Sequence, residues 1–253
     1  MTEWDSIVAL AGDRTMGAGE TADRAARLLA AVPREELPDA VETLLLGHPA
    51  MAPLWRLADA VLGARDHAAA AERFRADLAG DHLAAMAVAG ELPARILTIS
   101  NSATVAEALA LRKPRTVVCM ASTPGGEGLQ MAGLASAYSE VQVMDDDTAI
   151  RDVPAEAVLV GADAVTPTSV VNKVKTLQLV EAAAAAGIPR YAVAGNAKLI
   201  PVELPVPELF QAVPLDLFTA VALPGVLLKP ADVVERAASV RLHPVLTMLL
   251  ERM

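Results

Sequence analysis

Apolar residues in the first ninety positions recur at intervals of three and four, which places them on one face of a helix. The repeat is clearest at Ala22, Ala25, Leu28, Leu29 and Val32. Prolines at positions 33, 38, 49 and 53 divide this region into short segments, with glycines 47 and 63 as terminators. A longer helix is predicted over residues 65–89, with an interruption near Gly80. This pattern predicts an N-terminal helical domain over residues 1–92.

After residue 93 the pattern changes to short apolar runs separated by alanine-rich stretches. Apolar runs without polar alternation are typical of strands that are buried on both faces of a parallel sheet. Strands are predicted at residues 95–99, 116–120, 141–144, 157–161 and 190–194, and helices at 105–111, 127–138, 170–186 and 233–240. The predicted fold class is therefore α/β, in which the helical domain is followed over residues 93–253 by a Rossmann-like, mostly parallel, doubly wound sheet.

Composition and charge narrow the function classes. The chain has 253 residues, of which 54% are hydrophobic, and its net charge of −10 argues against a nucleic-acid or anionic-membrane surface. The single cysteine, Cys119, excludes an internal disulfide framework and is predicted to lie in the core, within a strand. The N-terminal residues lack the features of a signal peptide, and no long apolar run is free of charge. We expect a cytoplasmic protein.

Polar segments follow several predicted strands, and ligands of doubly wound sheets bind at those strand ends. Ser100, Asn101 and Ser102 follow the first strand and precede a helix, where they predict either ordinary helix capping or a phosphate site. The glycine-rich residues 122–128 lack the Gly-Lys-Ser/Thr ending of a nucleotide-binding loop, so a plain strand-to-helix turn accounts for them. Three aspartates at 145–147 favour capping or a hydrated turn. No metal site and no cofactor are predicted.

The strand end at Gly161-Ala162-Asp163 carries the clearest candidate chemistry. A partly buried carboxylate at this position is typical of a group with a raised pKa that exchanges protons. Asn172, Lys173 and Lys175 follow, at the predicted start of the next helix or in the loop before it, and Lys198 follows the last predicted strand. Three of the five lysines in the chain are thus predicted to converge on one sheet edge, which indicates a ligand site.

Taken in order, these segments resemble the family of the alpha, beta and delta subunits of translation initiation factor 2B. That family includes methylthioribose-1-phosphate isomerase and ribose-1,5-bisphosphate isomerase. The resemblance is carried by residues 96–102, 124–128, 161–163, 171–176, 193–198 and 213–220. It extends to residues 14–20, which are similar to a phosphate-contacting segment of the isomerases.

The resemblance implies a catalytic pair and a set of substrate contacts. The catalytic aspartate of the isomerases corresponds to Asp163, and their catalytic cysteine corresponds to Ser100, whose hydroxyl is far less acidic than a thiol. Met16 stands where the isomerases have a phosphate-binding arginine. Thr123 and Gly195 stand where relatives tend to have arginine and glutamate. The implied substrate contacts are Arg14, Gly17, Ala18, Asn101, Ser102, Asn172, Lys173, Lys175 and Lys198.

The implied function is an aldose–ketose isomerase that acts on a phosphorylated pentose or pentose derivative. In this hypothesis Asp163 is the general acid/base and Ser100 assists or orients the substrate. The alternative is a non-catalytic regulatory protein that binds a sugar phosphate or a nucleotide, and a third hypothesis is an unrelated small-molecule transferase on the same sheet. The resemblance also implies a homodimer, for which residues 215–221 and 245–250 are either the interface or part of the core.

Overall fold

The computed structural model describes residues 2–148, 153 and 155–253. Its N-terminal part consists of the helices α1 (Glu3–Gly12), α2 (Ala18–Ala31), α3 (Leu37–Gly47), α4 (Ala52–Gly63), α5 (His67–Leu78) and α6 (His82–Ala89). A 3-10 turn at Ala79–Asp81 separates α5 from α6, which confirms the predicted interruption near Gly80. Proline stands in the first turn of both α3 and α4, where its missing N–H group leaves no helical hydrogen bond unmade.

The helical layer packs around one apolar core. Helix α2 contributes Ala22, Ala25, Ala26 and Leu29, which are buried as their spacing predicts, and Trp55 of α4 is the largest fully buried side chain. Small alanines along α2 allow the neighbouring helices α4 and α5 to approach closely. This core therefore forms by helix-on-helix packing.

The remaining described elements alternate between strand and helix as far as β3. They are β1 (Arg95–Ile99), α7 (Ala103–Arg112), β2 (Thr116–Met120), α8 (Glu127–Ala135), β3 (Glu140–Met144), β4 (Ala157–Val160), β5 (Ala164–Val165), β6 (Ser169–Lys173), α9 (Thr176–Ala185), β7 (Arg190–Val193), β8 (Phe210–Pro214), β9 (Ala220–Leu223), β10 (Val226–Leu228), α10 (Pro230–Ala238) and α11 (Pro244–Leu250). The strands predicted at residues 95–99 and 116–120 have the predicted bounds.

Seven strands form the main sheet, in the order β10-β9-β7-β4-β1-β2-β3. All neighbouring strands are parallel except β10, which runs antiparallel to β9. Ile96 of β1 joins a core with α6, α7 and α8, whereas the next residue, Leu97, joins the core on the other face with α9. Helices therefore cover both faces, and the predicted fold class is confirmed. Cys119 is buried between them, as predicted.

The prediction for residues 170–186 is wrong in its first part. Residues 169–173 form β6 of a small antiparallel sheet in the order β5-β6-β8, and the helix begins only at Thr176. Asn172 and Lys173 therefore lie on a strand rather than at a helix start, because β6 pairs with β8 through a register that links Asn172 with Gln211. The sequence pattern did not predict β8, β9, β10 or α11.

The two stretches considered for a dimer interface have different environments. Leu215, Phe218 and Val221 are buried in the core of the α/β part. Helix α11 buries Leu246 and Leu249 against the helical layer, and it exposes Val245 and Met248. Within the described residues, no helix is long and apolar enough to cross a membrane. The domain boundary after residue 92 stays a prediction.

Candidate functional site

A cavity of about 920 Å³ lies between the helical layer and the carboxyl ends of β1 and β4. Its walls come from the start of α2, the turns before α4 and α6, and the segments that follow β1, β4 and β7. Ten of the residues singled out from the sequence line it: Arg14, Gly17, Ala18, Ser100, Asn101, Ser102, Asp163, Asn172, Lys173 and Lys198. The structure thus brings together residues that are up to 184 positions apart in the chain.

Asp163 is held by backbone hydrogen bonds to both layers. Its N–H group donates to the carbonyl of Val171 at 2.7 Å, and its carbonyl accepts from the N–H group of Ala52, the first residue of α4, at 3.0 Å. Its side chain is partly buried and lines the cavity, and none of the described residues donates a hydrogen bond to its carboxylate. The backbone of Asp163 is therefore held in position, and its carboxylate is available to contact a ligand.

Burial raises the pKa of Asp163 to about 6, and the nearby ammonium groups of Lys198 and Lys173 only partly oppose this effect. Desolvation favours the neutral acid, whereas positive charges favour the carboxylate. A pKa close to neutrality lets one group both give and take a proton under ordinary conditions. Asp163 has the environment that general acid/base chemistry requires.

Ser100 lies at the end of β1 with a left-handed backbone, at a φ of 68°. Residues other than glycine adopt this conformation at an energetic cost, and such residues cluster at functional sites. The conformation is held by a hydrogen bond of 2.7 Å from the Ser100 N–H group to the hydroxyl oxygen of Ser122. Ser122 is itself left-handed and donates its hydroxyl to the carbonyl of Met120. Ser100 is one of the residues that line the cavity.

Ser102 caps helix α7, so the capping interpretation of this segment holds for one of its residues. Its hydroxyl oxygen accepts from the N–H group of Val105 at 3.4 Å, a long hydrogen bond. A Cβ atom at Gly161 would lie 2.7 Å from the Ser102 side chain, so only glycine permits this contact at the end of β4. Asn101 donates from its amide to Gln130 of α8 at 3.0 Å.

Two of the lysines are buried at the cavity wall and are compensated by carboxylates. Lys173 forms an ion pair with Glu127 at the start of α8, and the second carboxylate oxygen of Glu127 is buried without a partner among the described residues. Lys198, in a 3-10 turn after β7, lies near both Asp163 and Asp81. Asn172 donates from its amide to the hydroxyl of Thr176 at 3.3 Å.

Lys175 does not line the cavity, unlike the other lysines predicted for the site. It caps α9 with a left-handed backbone, at a φ of 77°, and its side chain is exposed. Its ammonium group pairs with Asp147 at 2.8 Å. An exposed ion pair of this kind contributes little to stability, and the expected contact between Lys175 and substrate is not supported by this placement.

The start of α2 presents backbone N–H groups to the cavity. Gly17 is the N-cap residue and supplies no side-chain hydrogen bond, so the helix N-terminus keeps its capacity to bind an anion. Arg14 is exposed, and its guanidinium donates to the carbonyls of Ala11 and Asp13 at 2.8 and 2.9 Å. Ala18 is buried in the first turn.

Several cavity residues were not predicted from the sequence. Most of them have a charged side chain or an imidazole, and they lie in the helical layer and on α7 and α8. They are His48, Arg75, Asp81, His82, Glu107 and Glu127. The Nε2 atom of His48 lies 2.8 Å from the Leu10 carbonyl, and burial lowers the pKa of its imidazole. Only the helix interruption near Gly80 marked the position of Asp81 and His82. The described residues contain no cluster of side chains that fits a metal ion.

Fold and cavity define the class: an α/β protein whose ligand cavity at the strand ends is closed by an N-terminal helical layer. The chain belongs to the initiation factor 2 subunit family, whose sequence model matches residues 22–208. The predicted family is thereby confirmed. No curated protein sequence is significantly similar to this chain.

Solved structures share the fold over nearly the whole chain. The translation initiation factor eIF-2B of Pyrococcus horikoshii OT3 is 24% identical, with a TM-score of 0.83 over 92% of this chain and 98% of its own. The tetrameric eIF2B-beta2-delta2 complex of C. thermophilum is 18% identical, with a TM-score of 0.74 over 93% of this chain and 94% of its own. The 5-methylthioribose 1-phosphate isomerase of Pyrococcus horikoshii OT3 is 19% identical, with a TM-score of 0.63 over 94% of this chain and 88% of its own. At these identities the similarity establishes the fold alone.

Proposed function

We propose that this protein is an aldose–ketose isomerase that acts on a phosphorylated pentose or pentose derivative. The observation that carries the proposal is Asp163, a partly buried carboxylate without a side-chain partner among the described residues, which lines a cavity and has a pKa of about 6. Among the solved structures that share the fold of this protein is an isomerase, 5-methylthioribose 1-phosphate isomerase.

Conversion of an aldose 1-phosphate to a ketose requires ring opening and the transfer of a hydrogen between C1 and C2. As a neutral acid, Asp163 donates a proton to the ring oxygen as the bond from that oxygen to C1 breaks. As a carboxylate it accepts the proton from C2, returns it to C1, and takes up the proton that the C2 hydroxyl releases as the ketone forms. The cavity shields both steps from bulk water. Ser100 lines the same cavity and has a hydroxyl that orients the sugar, while Asn172 and Lys173 are placed to hold its hydroxyl groups.

The phosphate of the substrate needs hydrogen-bond donors rather than a single positively charged side chain. Backbone N–H groups at the start of α2, at Gly17 and Ala18, and at the start of α7, after Ser102, supply them. Arg14 is exposed at the rim and adds positive charge. Lys198 also lines the cavity and lies near Asp163, where it can contact the sugar rather than the phosphate.

The proposal is tested by incubating the protein with ribose 1-phosphate, ribose 1,5-bisphosphate and methylthioribose 1-phosphate and following ketose by ¹³C NMR. We expect ketose from at least one of them with the native protein and none with Asp163→Asn. Ketose formation at equal rates by both proteins would place the chemistry elsewhere.

A second candidate function is the binding of a sugar phosphate or nucleotide by a regulatory protein, without turnover. The observation that favours it is Ser100, because its hydroxyl has no side-chain base within hydrogen-bonding distance among the described residues. Thermal stabilisation by one of the three sugar phosphates, with no ketose from any of them, would support this candidate over the isomerase.

We also infer that the protein acts in the cytoplasm as a homodimer. The support is the acidic, cysteine-poor composition and the exposed apolar pair Val245 and Met248 on α11. Residues 215–221, the other stretch considered for the interface, are mostly buried within the chain.

A further inference from the structure

Asp81 enters the α/β part of the cavity from the helical layer. It is the last residue of the 3-10 turn between α5 and α6. Its carboxylate lies against Gly195, two residues after the end of β7. A Cβ atom at Gly195 would overlap both carboxylate oxygens of Asp81. The absence of a side chain at Gly195 therefore makes room for the carboxylate of Asp81.

The surroundings of Asp81 are negatively charged. Lys198 is the cation that acts on it most directly, but the same ammonium group also lies near Asp163. Glu107 of α7 adds a further negative charge close to Asp81. One buried ammonium group is thus shared among carboxylates, which leaves this end of the cavity without surplus positive charge.

The rest of the cavity lining offers little free positive charge. Among the described residues that line it, there are four lysines and arginines against six aspartates and glutamates. Arg75 is held by Asp23 at 2.8 Å and by Glu72 at 2.7 Å, and Lys173 is held by Glu127. The guanidinium of Arg14 is exposed and donates to backbone carbonyls. Anion binding therefore depends mainly on the helix N-termini at one part of the wall.

We propose that Asp81 is a specificity-determining residue, which excludes a second phosphate and so restricts the ligand to sugars that carry one phosphate. This inference rests on the proposed binding of a phosphorylated pentose. A second phosphate extending toward Lys198 meets the carboxylates of Asp81, Asp163 and Glu107, and like charges in a partly desolvated site repel strongly. An uncharged hydroxyl or methylthio end has no such penalty.

The test is isothermal titration calorimetry with ribose 1-phosphate and ribose 1,5-bisphosphate at pH 8. Burial raises the pKa of Asp81, so an alkaline buffer keeps its carboxylate ionised. We expect the native protein to bind the monophosphate at least about tenfold more tightly than the bisphosphate, because the second phosphate meets like charges in the cavity. Asp81→Asn keeps the side-chain shape, and we expect it to reduce this preference by about tenfold.

The matched control is Asp77→Asn, which removes the same charge from an exposed position of α5 outside the cavity. We expect it to leave the preference unchanged. Gly195→Ala provides a second variant, because the flexible Asp81 side chain can move away from the added methyl group. We expect it to weaken the preference in the same direction as Asp81→Asn.

The possible results separate this inference from the proposed function. Equal affinity of the native protein for both ligands, or a preference that Asp81→Asn does not change, would overturn the role of Asp81 while leaving sugar-phosphate binding intact. Binding of neither ligand by any of the variants would overturn both proposals.

Discussion

At the scale of single residues, Asp163 combines a hydrogen-bonded backbone with a carboxylate that accepts no hydrogen bond from any residue that the structure describes. Its pKa of about 6 lies above the ordinary value of 3.8 because burial disfavours the charged form. Between these two values the folded state binds more protons than the unfolded state, so ionisation of Asp163 lowers stability as the pH rises. Above pH 6 the ionised carboxylate lowers the free energy of unfolding by its full amount, which is about 2–3 kcal/mol at roughly 1.4 kcal/mol per pKa unit.

Asp163→Asn is therefore expected to stabilise the protein while removing its chemistry. The gain in the free energy of unfolding should be near zero at pH 4 and should reach about 2 kcal/mol at pH 8. Urea unfolding of the variant and the native protein across this range measures it. A variant that is less stable at pH 8 would show that the ionised carboxylate of Asp163 has stabilising partners.

Ser100→Cys is the second prediction at this scale. The thiol is more acidic than the hydroxyl, and the left-handed backbone that directs residue 100 is held by its N–H group, which the substitution keeps. If the isomerase chemistry operates here, we expect kcat/KM to rise by about tenfold or more. Ser136→Cys, at an exposed position, is the control. Unchanged activity of Ser100→Cys would mean that residue 100 takes no part in proton transfer.

At the scale of elements, the loop after β2 connects three strand ends through Asp146. Burial alone would raise the pKa of Asp146, but the hydroxyl of Thr123 and the N–H groups of Ser122 and Thr123 donate to its carboxylate and hold that pKa below its usual value. Ser122 in turn accepts from the N–H group of Ser100. The segment after β3 thus helps to fix the backbone that presents Ser100.

Asp146→Ala is expected to destabilise the protein by about 1–3 kcal/mol, because it leaves donors without an acceptor. Asp145→Ala removes a neighbouring exposed carboxylate and should change the free energy of unfolding by less than about 0.5 kcal/mol. Guanidinium denaturation of both variants measures the difference. Equal effects would mean that the hydrogen bonds of Asp146 contribute nothing net.

The elements also show where sequence patterns succeed and fail. The strands at 95–99 and 116–120 were predicted with correct bounds because they are mostly apolar and almost entirely buried. Residues 170–173 were mistaken for the start of a helix because the apolar pair Val170 and Val171 continues into an alanine-rich segment. Their strand pairing with β8 depends on residues forty positions later, which no local pattern reveals.

At the scale of the whole molecule, the cavity exists because the helical layer covers the strand ends. The sequence placed Asp163, Ser100 and Lys198 at one sheet edge, since the carboxyl ends of parallel strands lie at the same edge of a sheet. It did not place Asp81 or Arg75, because the packing of a helical layer on a sheet is set by contacts across the whole fold. It also predicted Lys175 at this edge, whereas the ammonium group of Lys175 pairs with Asp147 and Lys175 does not line the cavity.

The homodimer is the prediction that belongs to the whole molecule. Size-exclusion chromatography with light scattering should give twice the mass of the chain. If α11 supplies the interface, Met248→Glu should give a monomer, because it places a charge in an apolar contact. Met86→Glu, at a similarly exposed position of α6, should remain a dimer. A monomeric native protein would contradict the prediction outright.

The most direct test of the account is the titration of Asp163 itself. In protein labelled with ¹³C at aspartate side-chain carboxyl groups, the resonance that is missing from the Asp163→Asn spectrum identifies this group. We predict that it titrates with a pKa of about 6. A pKa near 4 would contradict the account, because Asp163 would then be an ordinary ionised carboxylate with no readiness to donate a proton at neutral pH.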